Sequence, residues 1–467
     1  MSLKKYPSYK KSRLSTVGMI PDQWIEKRAK YLFSEVDERS DTGTEEMLSV
    51  SHLRGVVRRK LLNVTMFQAE SNKGLKLCQT GDVVINTMWA WMAALGTSKE
   101  LGLVSPSYGV YRLHQKSAYH PDYLDYLLRI EAYRAEYICR STGIRSSRLR
   151  LYPDKFLDIP IICPPYKDQE AIVRYLKFKT TQINKLIQKK KCLIELLKEQ
   201  KQVIINQAIT RGLDFNVRLK FSGVKWIGDI PEHWKMIPLK RLASFKGGTG
   251  FPHDAQGKSG LELPFYKVSD MTLSGNETYM INTNNSITRK TASSLGATIF
   301  PQNAIIFPKV GGAMLTNKRR ILTKPSCIDN NMMGCMLKSD ANFNFFFLRI
   351  QTLDLGLIRK PGPVPAIGEA EVRAIQIPYP PEKEQLEIIE YVKTKTAKIN
   401  QTINQAESEI ELMREYRNRL TSDVVTGQID VRNIEISDII EEELIQEVLE
   451  EEQEEESLEF IGAGDDD

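Results

Sequence analysis

Residues 164–214 and 380–430 are two copies of one segment, and nothing else in the chain narrows its possible folds so far. Laid over one another at an offset of 216, without a gap, they agree at 18 of 51 positions. Ordinary residue usage would give roughly three such matches by chance. The agreements are Pro164, Pro165, Lys167, Gln169, Ile172, Tyr175, Lys177, Lys179, Thr180, Ile183, Asn184, Ile187, Ile194, Glu195, Leu196, Glu199, Thr210 and Asp214, each with its counterpart 216 residues on. A chain that carries the same segment twice has to build the same element twice.

That element is a long helix. The Pro pair precedes an acidic first turn (Asp168 and Glu170; Glu382 and Glu384), where negative charge suits the exposed N–H groups and the helix dipole. Each copy then runs some forty residues free of Gly and Pro, to Gly212 and to Gly427. Apolar residues fall at heptad spacing. In the first copy Leu176, Ile183, Leu197 and Ile204 share one position, and Ile187, Ile194 and Ala208 the other. In the second, Val392, Ile399, Ala406, Met413 and Leu420 stand beside Ile403, Ile410 and Val424. A stripe this narrow is a coiled-coil seam rather than a face sunk in a globular core. At 1.5 Å per residue each helix spans roughly 60 Å. Lys190 and Lys201 occupy seam positions where the second copy has Ala406 and Arg417, and acids gather in the second copy at Glu407, Glu409, Glu411 and Glu415. A lysine-rich seam facing a glutamate-rich one favours pairing of the two copies with each other. With a whole domain between them, antiparallel pairing within one chain is the simplest arrangement.

What precedes each helix is repeated more weakly. VGMIPDQW (17–24) resembles IGDIPEHW (227–234). Each is followed by a polar-apolar strand (MLSVSHL, 47–53; FYKVSDM, 265–271) and then an apolar strand (GDVVINT, 81–87; NAIIFPK, 303–309). An aromatic helical segment comes next (120–134; 342–356), then a Gly-containing polar loop (141–150; 359–370) and a short strand into Pro-Pro. Short strands with one helical segment predict a compact α+β unit of about 150 residues. Trp89 and Trp91, in MWAWM, are expected on one face of a strand, packing in the core. The predicted layout is a unit at 1–158, a helix at 159–214, a unit at 215–376, a helix at 377–432 and a disordered acidic tail at 433–467.

Charge is distributed unevenly over this layout. The 467 residues carry a net +6, but residues 433–467 hold 16 acids and no Lys or Arg. That leaves 43 acids against 65 bases, a net +22, in residues 1–432. A body that basic points to a polyanion, and nucleic acid is the usual one. Acid blocks such as those of the tail are ordinarily solvated. No run of about 18 apolar residues exists, and the first thirty residues lack a signal-peptide core, so neither secretion nor membrane spanning is expected. Six cysteines (Cys78, Cys139, Cys163, Cys192, Cys327, Cys335) form no Cys-x-x-Cys pair and read as reduced thiols.

Cys163-Pro164-Pro165-Tyr166 invites comparison with the polar-Pro-Pro-aromatic loop of enzymes that methylate adenine, whose aromatic residue stacks on a flipped base. The second copy reads Tyr379-Pro380-Pro381-Glu382. Only the Pro pair is common to both, and Cys163 is a poor acceptor for an adenine amino group. FKGGTG (245–250) has Thr249 where a donor-binding Phe-x-Gly-x-Gly pattern needs its second Gly. The Pro pair therefore starts a helix and no catalytic residue is assigned. His52, His114, His120, His233 and His253 lie singly, which predicts no metal site, and no phosphate-binding Gly-x-x-x-x-Gly-Lys-(Ser/Thr) loop occurs.

The duplicated Pro-Pro-x-x-(Asp/Glu)-Gln helix starts, the heptads, the Ile-Pro-x-x-Trp segments and the strand order resemble the DNA-specificity subunit of Type I restriction–modification systems. The resemblance reaches to about residue 432 and excludes the acidic tail. It implies two target recognition domains, each reading half of a split DNA sequence, joined by two long helices that pair as an antiparallel coiled coil with pseudo-twofold symmetry. It implies double-stranded DNA, two modification (methyltransferase) subunits and restriction (translocase/nuclease) subunits as partners, in the cytoplasm of a prokaryote, as host defence. S-adenosylmethionine, ATP and Mg would then be bound by those partners and no cofactor by this chain. Two rival classes remain as alternatives: a stand-alone DNA adenine methyltransferase, and a coiled-coil scaffold that binds DNA without sequence preference.

Base reading needs forked donors such as Arg, Asn and Gln, with Lys and Arg on phosphates to set register. The richest clusters in the first unit are Arg54, Arg58, Arg59 and Lys60, then Arg145 and Arg148. In the second they are Lys246, Gly247, Gly248 and Thr249, then Asn317, Lys318, Arg319 and Arg320. Gly247 and Gly248 are expected to let backbone amides approach a phosphate. Two heads gripping one face of a duplex would place their half-sites about one helical turn, roughly 34 Å, apart.

Overall fold

The computed structural model describes residues 4–61, 71–143, 149–339, 341–358 and 364–434. The chain is α+β and divides into two compact units: Met1–Leu193 with Ala406–Asp467, and Ile194–Gln405. Both boundaries cut a long helix. The first helix runs over Tyr166–Arg211 and the second over Glu382–Val425, 46 and 44 residues. The acidic tail beyond Ile434 lies outside the described residues.

Unit 1 is built on a four-stranded antiparallel sheet in the order Phe33–Glu35, Gly109–Leu113, Val83–Ile85, Leu95–Thr97. Val83, Val84 and Ile85 are all buried, as a continuous apolar run in a central strand requires when both faces are covered. Val84 and Val110 pack with Leu48, Val50, Val56 and Ala94. Tyr111 meets Phe156 at 4.6 Å between ring centroids. Pro160–Cys163 pairs with Ile25–Arg28 and delivers the chain to the first long helix.

Unit 2 repeats this plan. Ala243–Gly247, Met332–Leu337, Ile305–Pro308 and Arg320–Leu322 form an antiparallel sheet in that order, with Tyr279–Met280 added in parallel at the edge. Gly334 is obligatory in its strand, because a Cβ there would lie 2.2 Å from the Phe300 ring. Gln376–Tyr379 pairs with Lys235–Pro238 and leads into the second long helix.

Two local expectations in unit 1 are corrected. Met88–Met92 is not a strand: Ala90–Met92 forms a 3-10 turn, with Trp89 before it and Ala93 at φ +60 after it. Alternation of bulky and small residues also fits a tight turn, and the bond from Trp91 Nε1 to the Met88 carbonyl (3.0 Å) closes one. The segment 120–134 is not one helix. Pro121–Arg129 ends where Ile130 turns extended (ψ 155°), and Glu131–Arg140 begins afresh.

The long helices bury their seams within each unit. Leu176, Ile183, Ile187 and Ile194 are buried in the first, and Val392, Ile399, Ile403, Ile410 and Leu420 in the second. Leu197, Ile204 and Met413 are half-buried. Ile205 takes the buried place beside Ile204, because an α-helix drifts about 20° per heptad against a strict 3.5-residue period. In unit 1, Arg417 Nη1 donates to Asn184 Oδ1 at 2.8 Å and Lys190 ion-pairs with Glu409. In unit 2, Lys201 Nζ donates to Asn400 Oδ1 at 2.8 Å. In unit 1, positions on one helix rise as their partners on the other fall.

Candidate nucleic-acid interface and the helix junctions

Each unit contains one junction, built on the Pro-Pro-x-x-(Asp/Glu)-Gln motif. In unit 1 the buried Trp24 donates Nε1 to Asp168 Oδ2 at 3.1 Å. Gln169, fully buried, donates Nε2 to the Pro164 carbonyl at 2.9 Å, closing the turn that the Pro pair opens. The Trp24 ring also covers Gly427, which ends the second helix at φ +77; a Cβ there would lie 2.8 Å from the indole. Tyr123 Oη donates to the Val425 carbonyl at 3.0 Å, satisfying one of the last groups of that helix.

Unit 2 has the same junction with the helices exchanged. Trp234 Nε1 donates to Glu384 Oε2 at 2.8 Å, and Gln385 Nε2 to the Pro380 carbonyl at 2.9 Å. Trp234 covers Gly212 (φ +75), the end of the first helix. His233 Nε2 meets the other Glu384 oxygen at 2.6 Å. The motif is thus a structural clasp: its acid holds a Trp, its Gln holds a proline carbonyl, and neither is left over for chemistry. Tyr166 is the first residue of a helix and Cys163 the last of a strand.

The candidate DNA contacts separate into several kinds. Arg58 makes a forked pair with Glu100 (2.7 and 2.6 Å), and Lys60 pairs with Glu46 at 3.1 Å. Arg54 is buried and Arg59 half-buried. Arg145 and Arg148 lie outside the described residues. Lys246 is exposed.

The Gly-Gly-Thr reading is corrected. Gly247 N donates to Glu369 Oε1 (2.7 Å), Gly248 N to the Met332 carbonyl (3.0 Å) and Thr249 N to the Ile328 carbonyl (3.0 Å). A Cβ on Gly248 would lie 2.0 Å from the Asp329 carbonyl oxygen, so the glycine serves a close approach of two backbones rather than a phosphate. Arg319, offered as a candidate DNA contact, is turned inward. It is 3% exposed, donates Nη2 to the Leu353 carbonyl at 2.6 Å and lies over the Phe307 ring at 5.9 Å. Burial pushes its pKa down to about 10. Arg320 is half-buried, donating to the Arg319 and Met271 carbonyls at 3.0 and 3.3 Å. Asn317 and Lys318 complete this turn.

Sequence reasoning missed the Asn184–Arg417 and Lys201–Asn400 pairs. The signal was available: Asn184 and Asn400 are identical in the repeat, and Lys201 and Arg417 occupy its equivalent cationic positions. Among the described residues, no group of three or more His, Cys, Asp or Glu is disposed to hold a metal ion, and no helix is long and apolar enough to cross a membrane. All six cysteines are free thiols.

Fold and junctions define a duplicated α+β chain in which one helix junction is built twice. Residues 231–412 match the family Type I restriction modification DNA specificity domain. The Type I restriction enzyme MjaVIII specificity subunit of Methanocaldococcus jannaschii is 23% identical over 411 residues, 85% of this chain and 89% of that protein. A chain in a solved structure on complex assembly and conformational transition of the type I R-M system shares the fold, with a TM-score of 0.58 at 12% identity. That match covers 88% of this chain and 99% of the other. The HsdS subunit of Thermoanaerobacter tengcongensis aligns over 88% of this chain and 98% of its own, at 14% identity and a TM-score of 0.41. Residues 231–412 thus carry the pattern of a Type I restriction modification DNA specificity domain, and most of the chain is similar to a Type I specificity subunit.

Proposed function

We propose that this chain reads a bipartite DNA target, one half with each globular unit, and docks two modification subunits and through them restriction subunits. As a specificity subunit it is the non-catalytic member of its complex. Methyl transfer, ATP hydrolysis and strand cleavage then belong to partner chains, which would bind S-adenosylmethionine, ATP and Mg. The two long helices form an antiparallel coiled coil with pseudo-twofold symmetry that sets the gap between half-sites, and the complex works in the cytoplasm.

The observation that carries this reading is the repetition of one junction in both units, with the helices exchanged. Trp24 joins the start of the first helix to the end of the second, and Trp234 the start of the second to the end of the first. A duplicated chain with two heads of the same plan but different surfaces suits two unlike half-sites on one duplex. The net +22 of residues 1–432 supplies the attraction to phosphate. The test is replacement of residues 1–158 by the corresponding unit of a relative, followed by mapping of methylated sites in cells carrying the full complex. One half of the motif is expected to change and the other to persist. A change in both halves, or in neither, counts against the assignment.

A further inference from the structure

We propose that Lys318 contacts a phosphate of the DNA backbone, and that Asn317 and Arg319 are positioning residues that hold its turn ready without touching DNA. The assignment rests on the reading of unit 2 as a DNA-recognising head.

The turn leads into Arg320–Leu322, the antiparallel neighbour of Ile305–Pro308 in the sheet of unit 2. Asn317 sits at φ +53, the left-handed region that asparagine tolerates better than most residues. Its side chain is fully engaged in keeping it there. Oδ1 accepts from Leu355 N at 3.0 Å and from Arg319 Nη1 at 3.1 Å, while Nδ2 donates to Asp354 Oδ1 at 3.0 Å. Arg319 turns inward to the Leu353 carbonyl and the Phe307 ring. Arg320 is folded back onto the carbonyls of Arg319 and Met271. Three of four consecutive side chains are therefore committed to the protein.

Lys318 is the exception. Its ammonium makes no ion pair or hydrogen bond among the described residues, and the charge that acts on it is the like charge of Arg320. Partial burial and that neighbour both hold its pKa below the usual lysine value, in that order of size. A like charge acting on Lys318 costs the free protein, and a phosphate bound at its ammonium offsets that cost. The corresponding connection in unit 1, residues 86–94 between Val83–Ile85 and Leu95–Thr97, is braced as well: Trp91 Nε1 donates to the Met88 carbonyl and Arg134 Nε to that of Trp91, at 3.0 and 3.2 Å. It contains no Lys or Arg. One address in a shared topology thus carries opposite chemistry, and the cationic version belongs to unit 2.

The experiment uses the full chain assembled with its modification subunits, and measures binding to target and unrelated duplexes over a salt series. Lys318→Ala is expected to reduce the slope of log affinity against log salt by about 0.9, the share of one phosphate contact. It should weaken both duplexes alike, leave the methylated motif unchanged and be rescued by Lys318→Arg. Asn317→Gly, which keeps the left-handed backbone but loses the side-chain bonds, should lower the slope with Lys318 intact. An unchanged slope in Lys318→Ala, with sequence-preferring binding by the wild type, overturns this assignment alone. So does a loss confined to one base pair with relaxed specificity there, which would make Lys318 a base reader. Absence of sequence-preferring binding by the wild-type assembly overturns the head reading, and this assignment with it.

Discussion

Trp24 and Trp234 each connect three separate stretches of chain: their own loop, a helix start and a helix end. An indole is suited to this, since its body buries apolar area while its one N–H donates to the carboxylate at the helix start. Asp168, 6% exposed, accepts that bond in unit 1. Trp24→Phe therefore leaves a buried acceptor short of its partner, and should cost about 1–3 kcal/mol, read as a shift in the urea midpoint of the purified chain. Asp168→Asn in the same background should recover part of the loss, because a neutral amide is easier to bury. The same scale explains why surface chemistry was hard to assign from residue types. Arg58 and Arg319 look alike in sequence, yet one makes a forked pair with Glu100 and the other is sunk against Leu353 and Phe307.

The long helices owe their register to polar residues placed within an apolar seam. Leucine-like contacts can slip by a heptad at little cost, whereas a half-buried cation finds its acceptor in only one alignment. Lys201 with Asn400 and Arg417 with Asn184 are such alignments, one in each unit. Burial already holds the pKa of Lys201 below its ordinary value, so its charge is carried at a cost that Asn400 offsets. Asn400→Ala should destabilise unit 2 by about 1.5–3 kcal/mol, the range for a hydrogen bond to a charged group. Urea denaturation reports it. A neutral result would mean that water replaces the amide and that the register is fixed by packing alone.

At the scale of the whole chain, the proposed coiled coil makes helix length the ruler for the target. One heptad inserted between Lys190 and Ile194, with another in register between Glu407 and Glu411, keeps the seam in phase and adds ~10 Å of helix. With base pairs ~3.4 Å apart, the tolerated gap should grow by roughly three base pairs while both half-sites stay the same. Methylation mapping across the genome checks this, and an altered half-site sequence would count against the ruler.

The duplication, the two helices and the role of Pro-Pro were legible in the sequence, because each rests on local chemistry or periodicity repeated at a fixed offset. The 3-10 turn at Ala90–Met92, the break at Ile130 and the internal engagement of Gly247, Gly248 and Thr249 were not. A local pattern fixes which residues are apolar and where a helix can start. Which donor is consumed by Glu369, and which cation is turned inward onto Leu353, depends on residues 34 to 122 positions away, brought near only when the unit closes.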